Sequence, residues 1–176
     1  AYEIKIEPYD PRTKKGLLRH VLIRVGYKTR QVLVVLVTAS PVFPSKKNFV
    51  KALLAECPDI TTVVHNINGK ETGMILGDKE DVIYGNGYIE DILAKKSFKI
   101  SPKSFYQVNS LQTEVLYSKA IELAGLTGTE KVIDAYCGTG TISLALADRF
   151  KEVRATEIVP EAIENAKLNA ERNGIT

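Results

Sequence analysis

Apolar and polar residues alternate over short stretches in the first part of the chain, a pattern typical of β-strands. Residues 17–26 carry basic and apolar side chains in turn, whereas residues 31–40 are almost wholly apolar. With 27–30 as the turn between them, this pattern predicts a hairpin whose second strand is the more buried. A helix over 46–57 follows, with Ser45 as its cap.

Further short strands complete an α+β unit, which we assign to residues 1–102. The turn signal Asn68-Gly69 predicts that segments 61–67 and 72–78 pair as a second hairpin. Three more short strands are predicted at 82–85, 88–93 and 98–101. One helix among this many strands is typical of an α+β domain.

Beyond residue 102 the apolar spacing becomes that of helices and buried strands. A helix is predicted over 110–124, with Ser110 as its cap. The following segments are strand 131–136, helix 141–150, strand 152–159 and helix 160–173. Because strand and helix alternate, we predict a parallel sheet covered by helices, and we interpret 103–176 as the first half of an α/β doubly wound, Rossmann-like domain.

Composition narrows the class of protein. Hydrophobic residues make up 44% and charged residues 26% of the 176 positions, as in globular domains. No apolar run approaches the roughly 20 residues of a membrane helix, and two cysteines cannot form a disulfide framework. We therefore expect a cytoplasmic protein with reduced thiols. Because the chain starts without Met and stops just after a helix, we interpret it as a piece of a longer protein.

Positive charge is concentrated near the start of the chain. Residues 1–51 hold eleven Lys and Arg and three acidic residues, a net charge of +8 (eleven minus three), although the whole chain carries only +3. This distribution favours a surface that faces a polyanion such as RNA. The candidate phosphate contacts are Arg19, Arg24, Lys28 and Arg30. Ordinary solvated charges on a small sheet are the alternative.

The stretch 131-KVIDAYCGTGTISLALA-147 places a glycine turn between a strand and a helix. In parallel sheets, ligands bind outside the carboxyl ends of the strands. Gly138 and Gly140 permit the close approach of a ligand to the backbone. Glu157 ends the next strand, where an acid can bind both hydroxyls of a ribose. The pattern therefore predicts a nucleotide-type cofactor site.

Two classes of cofactor fit that pattern. A dinucleotide enzyme would have a third glycine where Ser143 stands, and it would not need Asp134 inside the first strand. An S-adenosylmethionine site explains Asp134 better, since a carboxylate near the sulfonium and amino groups of that cofactor is electrostatically favourable.

Three longer segments carry a specific resemblance to a family. The segments 101-SPKSFYQVNSLQTEVLY-117, 134-DAYCGTGTISLALA-147 and 157-EIVPEAIENAKLNAERNGI-175 together resemble the RNA (uracil-5-)-methyltransferases, most of all the bacterial 23S ribosomal RNA branch. Upstream, 18-LRHVLIR-24, 65-HNIN-68 and 88-YIED-91 are similar to the central domain of that family. The resemblance therefore spans nearly the whole chain.

The resemblance implies a class I S-adenosylmethionine-dependent methyltransferase domain after the central α+β domain. It implies that Gln107, Tyr136, Gly138 and Glu157 bind the cofactor, with Glu157 on the ribose and Tyr136 beside the adenosine. The implied partners are 23S-type ribosomal RNA and the remainder of the protein's own chain.

The family reaction uses a cysteine thiolate that attacks C6 of uracil and a base that removes the C5 proton. The resemblance places both groups beyond residue 176, so we expect no catalytic residue in this chain and no methylation by it alone. We also expect no iron–sulfur cluster in this segment, because two cysteines 80 residues apart cannot hold one. Cys137 is interpreted as a packing residue of the cofactor turn, and Cys57 as a core residue.

The remaining candidates are aromatic residues and histidines. Phe105 is the favoured stacking surface for a base drawn out of the RNA fold, with Tyr106 as the alternative. His20 and His65 lack metal-ligand spacing, so we interpret them as strand residues and expect no metal. Two other functions stay open: a methyltransferase for another substrate, and a non-catalytic RNA-binding module that retains the cofactor turn.

Overall fold

The computed structural model describes residues 6–71 and 73–175. The chain divides into two compact units, each described here by itself. The first comprises the described residues of Ala1–Gly26, Arg30–Ile89 and Ser101–Lys103, and the second those of Tyr27–Thr29, Glu90–Ile100 and Ser104–Thr176. Within the described ranges, no helix combines the length and the apolar character needed to cross a membrane.

The first unit is built on a four-stranded sheet of order β1-β2-β3-β4. Its strands are β1 (Leu18–Val25), β2 (Val32–Thr38), β3 (Ile60–Ile67) and β4 (Lys79–Tyr84). Helix α1 (Lys46–Glu56) connects β2 to β3, which run parallel, whereas the outer pairs are antiparallel. The predicted hairpin of β1 and β2 is confirmed: residues 33–38 of β2 are buried, but β1 stays partly exposed.

One face of this sheet packs against α1. The buried residues of this core are Ile6, Val34, Leu36, Phe43, Ile60 and Val63, and Phe49, Leu53 and Leu54 of α1 pack against them. His65 is fully buried at the same face, where its ring meets Phe43 edge-on at 5.2 Å. The Thr38 hydroxyl donates to the carbonyl of Ser40, so His65 Nε2 is the donor to Thr38 Oγ1, at 2.7 Å. His65 is thus a strand residue, as predicted.

The predicted strand at 72–78 is wrong. Thr72 lies outside the described residues, and residues 73–78 form no strand; β3 pairs instead with β4, which begins at Lys79. The buried side chain of Asn68 explains the difference, because its amide donates to the carbonyls of Met74 and Ile75 at 2.7 and 3.1 Å. Asn66 likewise donates to the carbonyl of Gly77 at 3.1 Å. These bonds hold an irregular loop.

Apart from Ile89, the hairpin of β5 (Ile89–Leu93) and β6 (Lys96–Ile100) belongs to the second unit, which continues with a strand-helix-strand-helix segment. After α2 (Ser110–Ala124) come β7 (Lys131–Asp134), α3 (Thr141–Ala145), β8 (Glu152–Ala155) and α4 (Pro160–Arg172). Strands β7 and β8 are parallel neighbours, as the α/β pattern predicts. Leu93, Phe98, Tyr117 and Leu144 form the core of this unit.

Several element ends differ from the prediction. Strands β7 and β8 stop two and four residues early, and α3 gives way to a 3-10 turn at Ala147–Arg149 instead of reaching residue 150. Asn109, and not Ser110, caps α2 by accepting from the N–H of Gln112. Ser45 precedes α1 but makes no side-chain cap bond. The early strand ends leave a longer loop in front of each following helix.

Candidate functional site

The candidate site is centred on the turn that joins β7 to α3, residues 137–140. Gly138 and Gly140 adopt φ angles of 54° and 82°, in the left-handed region that glycine favours. The N–H of Gly140 donates to the carbonyl of Cys137 at 2.8 Å and closes the turn. A Cβ on Gly138 would meet no atom within 4 Å, so the space in front of this glycine is open.

Glu157 lies beside this turn, two residues past the end of β8. Its Oε2 accepts from the N–H of Gly138 at 3.0 Å, and its Oε1 accepts from the N–H groups of Ile158 and Val159 at 2.8 and 3.0 Å. The donors at Val159 and then Gly138 lower the pKa of the carboxyl. A carboxylate offers about four lone-pair sites, so one remains for a ligand hydroxyl. The parallel pairing of β7 and β8 thus brings Gly138 and Glu157 together.

Asp134, the last residue of β7, faces into the turn and not toward open solvent. One carboxylate oxygen accepts from the hydroxyl of Ser143, and the other accepts from the N–H of Tyr136 at 3.4 Å. Ser143 occupies the position of the third glycine of a dinucleotide fingerprint, and its bond to Asp134 gives it a role in holding the turn. The Tyr136 side chain is 91% exposed.

Phe105 and Gln107 lie in the segment that precedes α2. The carbonyl of Phe105 accepts from Thr139 Oγ1 at 3.5 Å, so this segment reaches the glycine turn, while the Phe105 ring is 72% exposed. Tyr106 points inward, where its hydroxyl donates to Asp91 at 3.4 Å, and burial followed by the nearby carboxylate raises its pKa. Gln107, the next residue, is half-buried. Of the two aromatic rings, Phe105 has the accessible face.

The two cysteines differ in their surroundings. Cys137 is buried, its Sγ donates to the carbonyl of Gly138 at 3.7 Å, and burial followed by the charges of Asp134 and Glu157 raises the pKa of its thiol. These are the properties of a packing residue. Cys57 is exposed, so the prediction that it belongs to the core is wrong. Its position one residue past α1 takes it off the apolar stripe of that helix.

A cavity of about 670 Å³ opens beside Glu157 within the second unit. Cys137 and Gly140 of the turn line it on one side, and Ile163 and Ala166 of α4 line it on another. Its volume lies in the range of ligand sites, about 300–1,000 Å³.

Two of the predicted phosphate contacts, Arg19 and Arg24, lie on β1 of the first unit. The guanidinium of Arg19 donates to the carbonyls of Asn68 and Lys70 at 2.5 and 2.8 Å and stands 5.0 Å from the ring centre of Tyr9. Arg24 is half-buried, its Nε has no hydrogen-bond partner, and burial lowers its pKa. The guanidinium of Arg19 is thus bound to its own chain, although its Nε, like that of Arg24, is buried without a hydrogen-bond partner.

Lys28 and Arg30 lie at the tip of the hairpin. The Lys28 ammonium pairs with Glu114 of α2 at 2.5 Å within the second unit. The buried carboxylate of Asp91 accepts from the backbone N–H groups of Tyr27, Lys28 and Thr29 at 3.0, 2.9 and 3.3 Å. Arg30, in the first unit, is exposed and has a φ of 61°.

Sequence reasoning missed three groups around the turn. Thr139 touches Phe105, Asp91 holds Tyr106 and the hairpin tip, and Asn169 of α4 donates to the carbonyl of Thr139 at 3.0 Å. The available signal was a pair of asparagines four positions apart, Asn169 in α4 and Asn173 directly after its end, since this spacing puts both on one side of a helix.

Comparison with known proteins assigns the chain to a family. The model of the tRNA (uracil-5-)-methyltransferase family matches residues 14–176. The chain is 51% identical over 173 residues to an uncharacterized RNA methyltransferase of Clostridium acetobutylicum, covering 98% of this chain and 38% of the relative. An uncharacterized RNA methyltransferase of Oceanobacillus iheyensis is 47% identical over 170 residues, covering 97% and 37%. The chain thus spans less than two fifths of the length of these relatives.

A solved structure agrees. The Pyrococcus abyssi tRNA (uracil-54, C5)-methyltransferase, solved in complex with S-adenosyl-L-homocysteine, superposes with a TM-score of 0.81 at 29% identity. The match covers 99% of this chain and 42% of that one. This similarity confirms the predicted fold, in which an α+β part precedes the first half of a Rossmann-like methyltransferase domain. On the family match and the identity to these relatives, the chain belongs to the tRNA (uracil-5-)-methyltransferase family.

Proposed function

We propose that the protein to which this chain contributes transfers a methyl group from S-adenosylmethionine to C5 of a uridine in RNA, and that the RNA is ribosomal. The observation that carries the cofactor part is the pairing of Glu157 with Gly138 at 3.0 Å, where the ends of β7 and β8 meet. An acid at the end of one strand beside the glycine turn of its neighbour suits a nucleoside.

The residues around the turn fit S-adenosylmethionine chemically. Glu157 keeps a lone pair for the ribose, the open space at Gly138 admits the ligand next to the backbone, and the exposed ring of Tyr136 offers a surface for the adenine. Gln107 supplies an amide from the segment before α2. The cofactor supplies an electrophilic methyl group on a sulfonium.

The reaction proposed is that of the family. A cysteine thiolate forms a bond to C6 of the uracil, C5 then takes the methyl group, a base removes the C5 proton, and the bond between C6 and sulfur breaks. Cys137 is poorly suited to be that nucleophile, because it is buried and the pKa of its thiol is raised. We therefore assign the nucleophile and the base to parts of the protein outside this chain.

An RNA substrate is supported by the relatives, which are named RNA methyltransferases. Methylation of C5 requires access to both the face and the edge of one base, so the target uridine must leave its stack. We propose that the exposed ring of Phe105, whose backbone touches the cofactor turn, stacks on that uridine or on a neighbouring base. The Pyrococcus neighbour is named for a tRNA substrate, which makes tRNA the main competitor of ribosomal RNA.

The test is methylation by the full-length protein. Unmodified 23S ribosomal RNA and unmodified tRNA transcripts are incubated separately with S-adenosylmethionine, and nucleosides are quantified by mass spectrometry. We expect 5-methyluridine in the ribosomal RNA. Product in tRNA alone would overturn the ribosomal assignment, and a methylated nucleoside other than 5-methyluridine would overturn the reaction at C5. Cofactor binding without methylation of either RNA would favour a methyltransferase for another substrate or a non-catalytic RNA-binding module.

A further inference from the structure

Asn169 is a fully buried polar residue in the last turn of α4, and both the oxygen and the nitrogen of its amide are hydrogen-bonded. Its Oδ1 accepts from the backbone N–H of Lys99 in β6 at 2.8 Å. Its Nδ2 donates to the carbonyl of Thr139 in the glycine turn at 3.0 Å. A buried amide needs such partners, because one left unpaired destabilises the fold. Asn169 therefore links three elements of the second unit: helix, hairpin strand and cofactor turn.

The bond to Thr139 fixes the orientation of one peptide unit of the glycine turn. The peptide between Thr139 and Gly140 carries the carbonyl that Asn169 binds and the N–H that donates to Cys137 at 2.8 Å. With both of its polar groups bonded, on opposite sides, this peptide plane cannot rotate without breaking one of the bonds. Glycine at position 140, with a φ of 82°, would otherwise allow such a rotation.

Asn173 provides a natural comparison one helical turn later. Its Oδ1 accepts from the N–H of Ser97 at 2.9 Å, and its Nδ2 donates to the carbonyls of Ser97 and Asn169 at 2.8 and 2.7 Å. Four helical residues rise about 6 Å and two strand residues about 6.6 Å. The two asparagines therefore lie opposite alternate residues of β6. Asn173 secures the same helix to the same strand, but its bonds do not reach the turn.

We propose that Asn169 is a positioning residue of the cofactor site, which holds the Thr139–Gly140 peptide in the orientation that receives S-adenosylmethionine. The inference rests on the proposed function, because it takes that cofactor to bind at this turn. By fixing the turn before the ligand arrives, Asn169 removes an ordering step from binding, which raises affinity without any contact between Asn169 and the ligand.

The test compares Asn169→Asp with Asn173→Asp in the full-length protein. Each change keeps the acceptor for a β6 N–H group and replaces the donating amide with an oxygen that cannot donate. S-adenosylmethionine affinity is measured by calorimetry, and the exchange of the Gly140 amide is followed by hydrogen-exchange mass spectrometry. We expect Asn169→Asp to weaken cofactor binding about tenfold, the scale of one lost hydrogen bond, and to speed exchange at Gly140. Asn173→Asp should change affinity by less than about twofold, even where both variants lower the melting temperature.

Equal losses of affinity in the two variants would overturn the inference, because they would follow from weaker packing of α4 alone. Unchanged affinity in Asn169→Asp would overturn it as well. If the buried charge prevents folding, Asn169→Ala compared with Asn173→Ala applies the same criterion without adding a charge. A wild-type protein that does not bind S-adenosylmethionine would refute the proposed cofactor itself, an outcome separate from any difference between the variants.

Discussion

Glu157 makes the clearest prediction for a single residue. In the full-length protein, Glu157→Ala should weaken S-adenosylmethionine binding roughly ten- to a hundredfold, the scale of losing charge-assisted hydrogen bonds to a ribose. Calorimetry measures the change. Glu164→Ala is the matched control, because Glu164 is an exposed residue of α4 in the same unit and pairs with Lys167 at the surface. Unchanged affinity in Glu157→Ala would remove Glu157 from the site.

The thiols offer a second test at this scale. Cys57 is exposed, whereas Cys137 is buried and the pKa of its thiol is raised, so less of it is thiolate at any pH. We expect iodoacetamide at pH 8 to label Cys57 quickly and Cys137 only after unfolding, with Cys57→Ser and Cys137→Ser used to assign the peptides by mass spectrometry. Labelling of native Cys137 at the rate of Cys57 would contradict its assignment as a packing residue.

The assignment of Cys137 also has a consequence in the full-length protein. Cys137→Ala should still form a covalent adduct with RNA that contains 5-fluorouracil, because we assign the attacking thiolate elsewhere. Loss of the adduct in a variant with intact cofactor affinity would identify Cys137 as the nucleophile.

At the scale of elements, the order of strands and helices along the chain could be predicted, but the antiparallel partner of β3 could not. Periodicity and the Asn68-Gly69 signal favoured a tight hairpin, and both are local features. The buried amide of Asn68 determines the pairing instead. It donates to the backbone carbonyls six and seven residues away and keeps residues 73–78 out of the sheet. The position of Glu157 beside the glycine turn could be predicted, because the ends of strands follow from the chain order of a parallel sheet. The part played by Asn169 could not, because it depends on where α4 packs.

Removing the Asn68 side chain tests this account of the loop. Asn68→Ala should lower the free energy of unfolding by about 2 kcal/mol, because the carbonyls of Met74 and Ile75 and the N–H of Lys70 lose their partner. Asn48→Ala on the exposed side of α1 should change it by less than about 0.5 kcal/mol. Denaturant titration measures both. Equal effects would show that Asn68 does not determine the loop.

The β1–β2 hairpin carries the RNA prediction. Replacing Arg24, Lys28 and Arg30 together with Gln in the full-length protein should weaken RNA binding about equally across sequences and flatten its salt dependence, since each phosphate contact releases condensed counterions. Arg19 is excluded from the set because its guanidinium is bound to backbone carbonyls, so its replacement would lower the stability of the fold. Filter binding over a range of salt concentrations measures the slope. An unaltered slope would mean that these residues are ordinary solvated charges.

For the whole molecule, the two units carry different parts of the proposed chemistry. The first holds most of the positive charge of residues 1–51, and the second holds the turn, Glu157 and the segment with Phe105 and Gln107. Charge and motifs are read directly from the residue order, so this division of the proposed chemistry is a prediction from the sequence. The loop lengths and the packing around the turn required the structure.

The last prediction concerns the 176-residue chain as an enzyme. Its sequence contains two cysteines: Cys137, which is buried and whose thiol pKa is raised, and Cys57, which is exposed just past α1. We assign the attack on C6 of the uracil to neither thiol, so we expect the purified chain to make no 5-methyluridine in ribosomal RNA or tRNA. Mass spectrometry of the nucleosides checks this, with the full-length protein as the positive control. Methylation by the short chain that Cys137→Ala abolishes would transfer the nucleophile to Cys137; methylation that survives loss of both thiols would refute attack by a cysteine altogether.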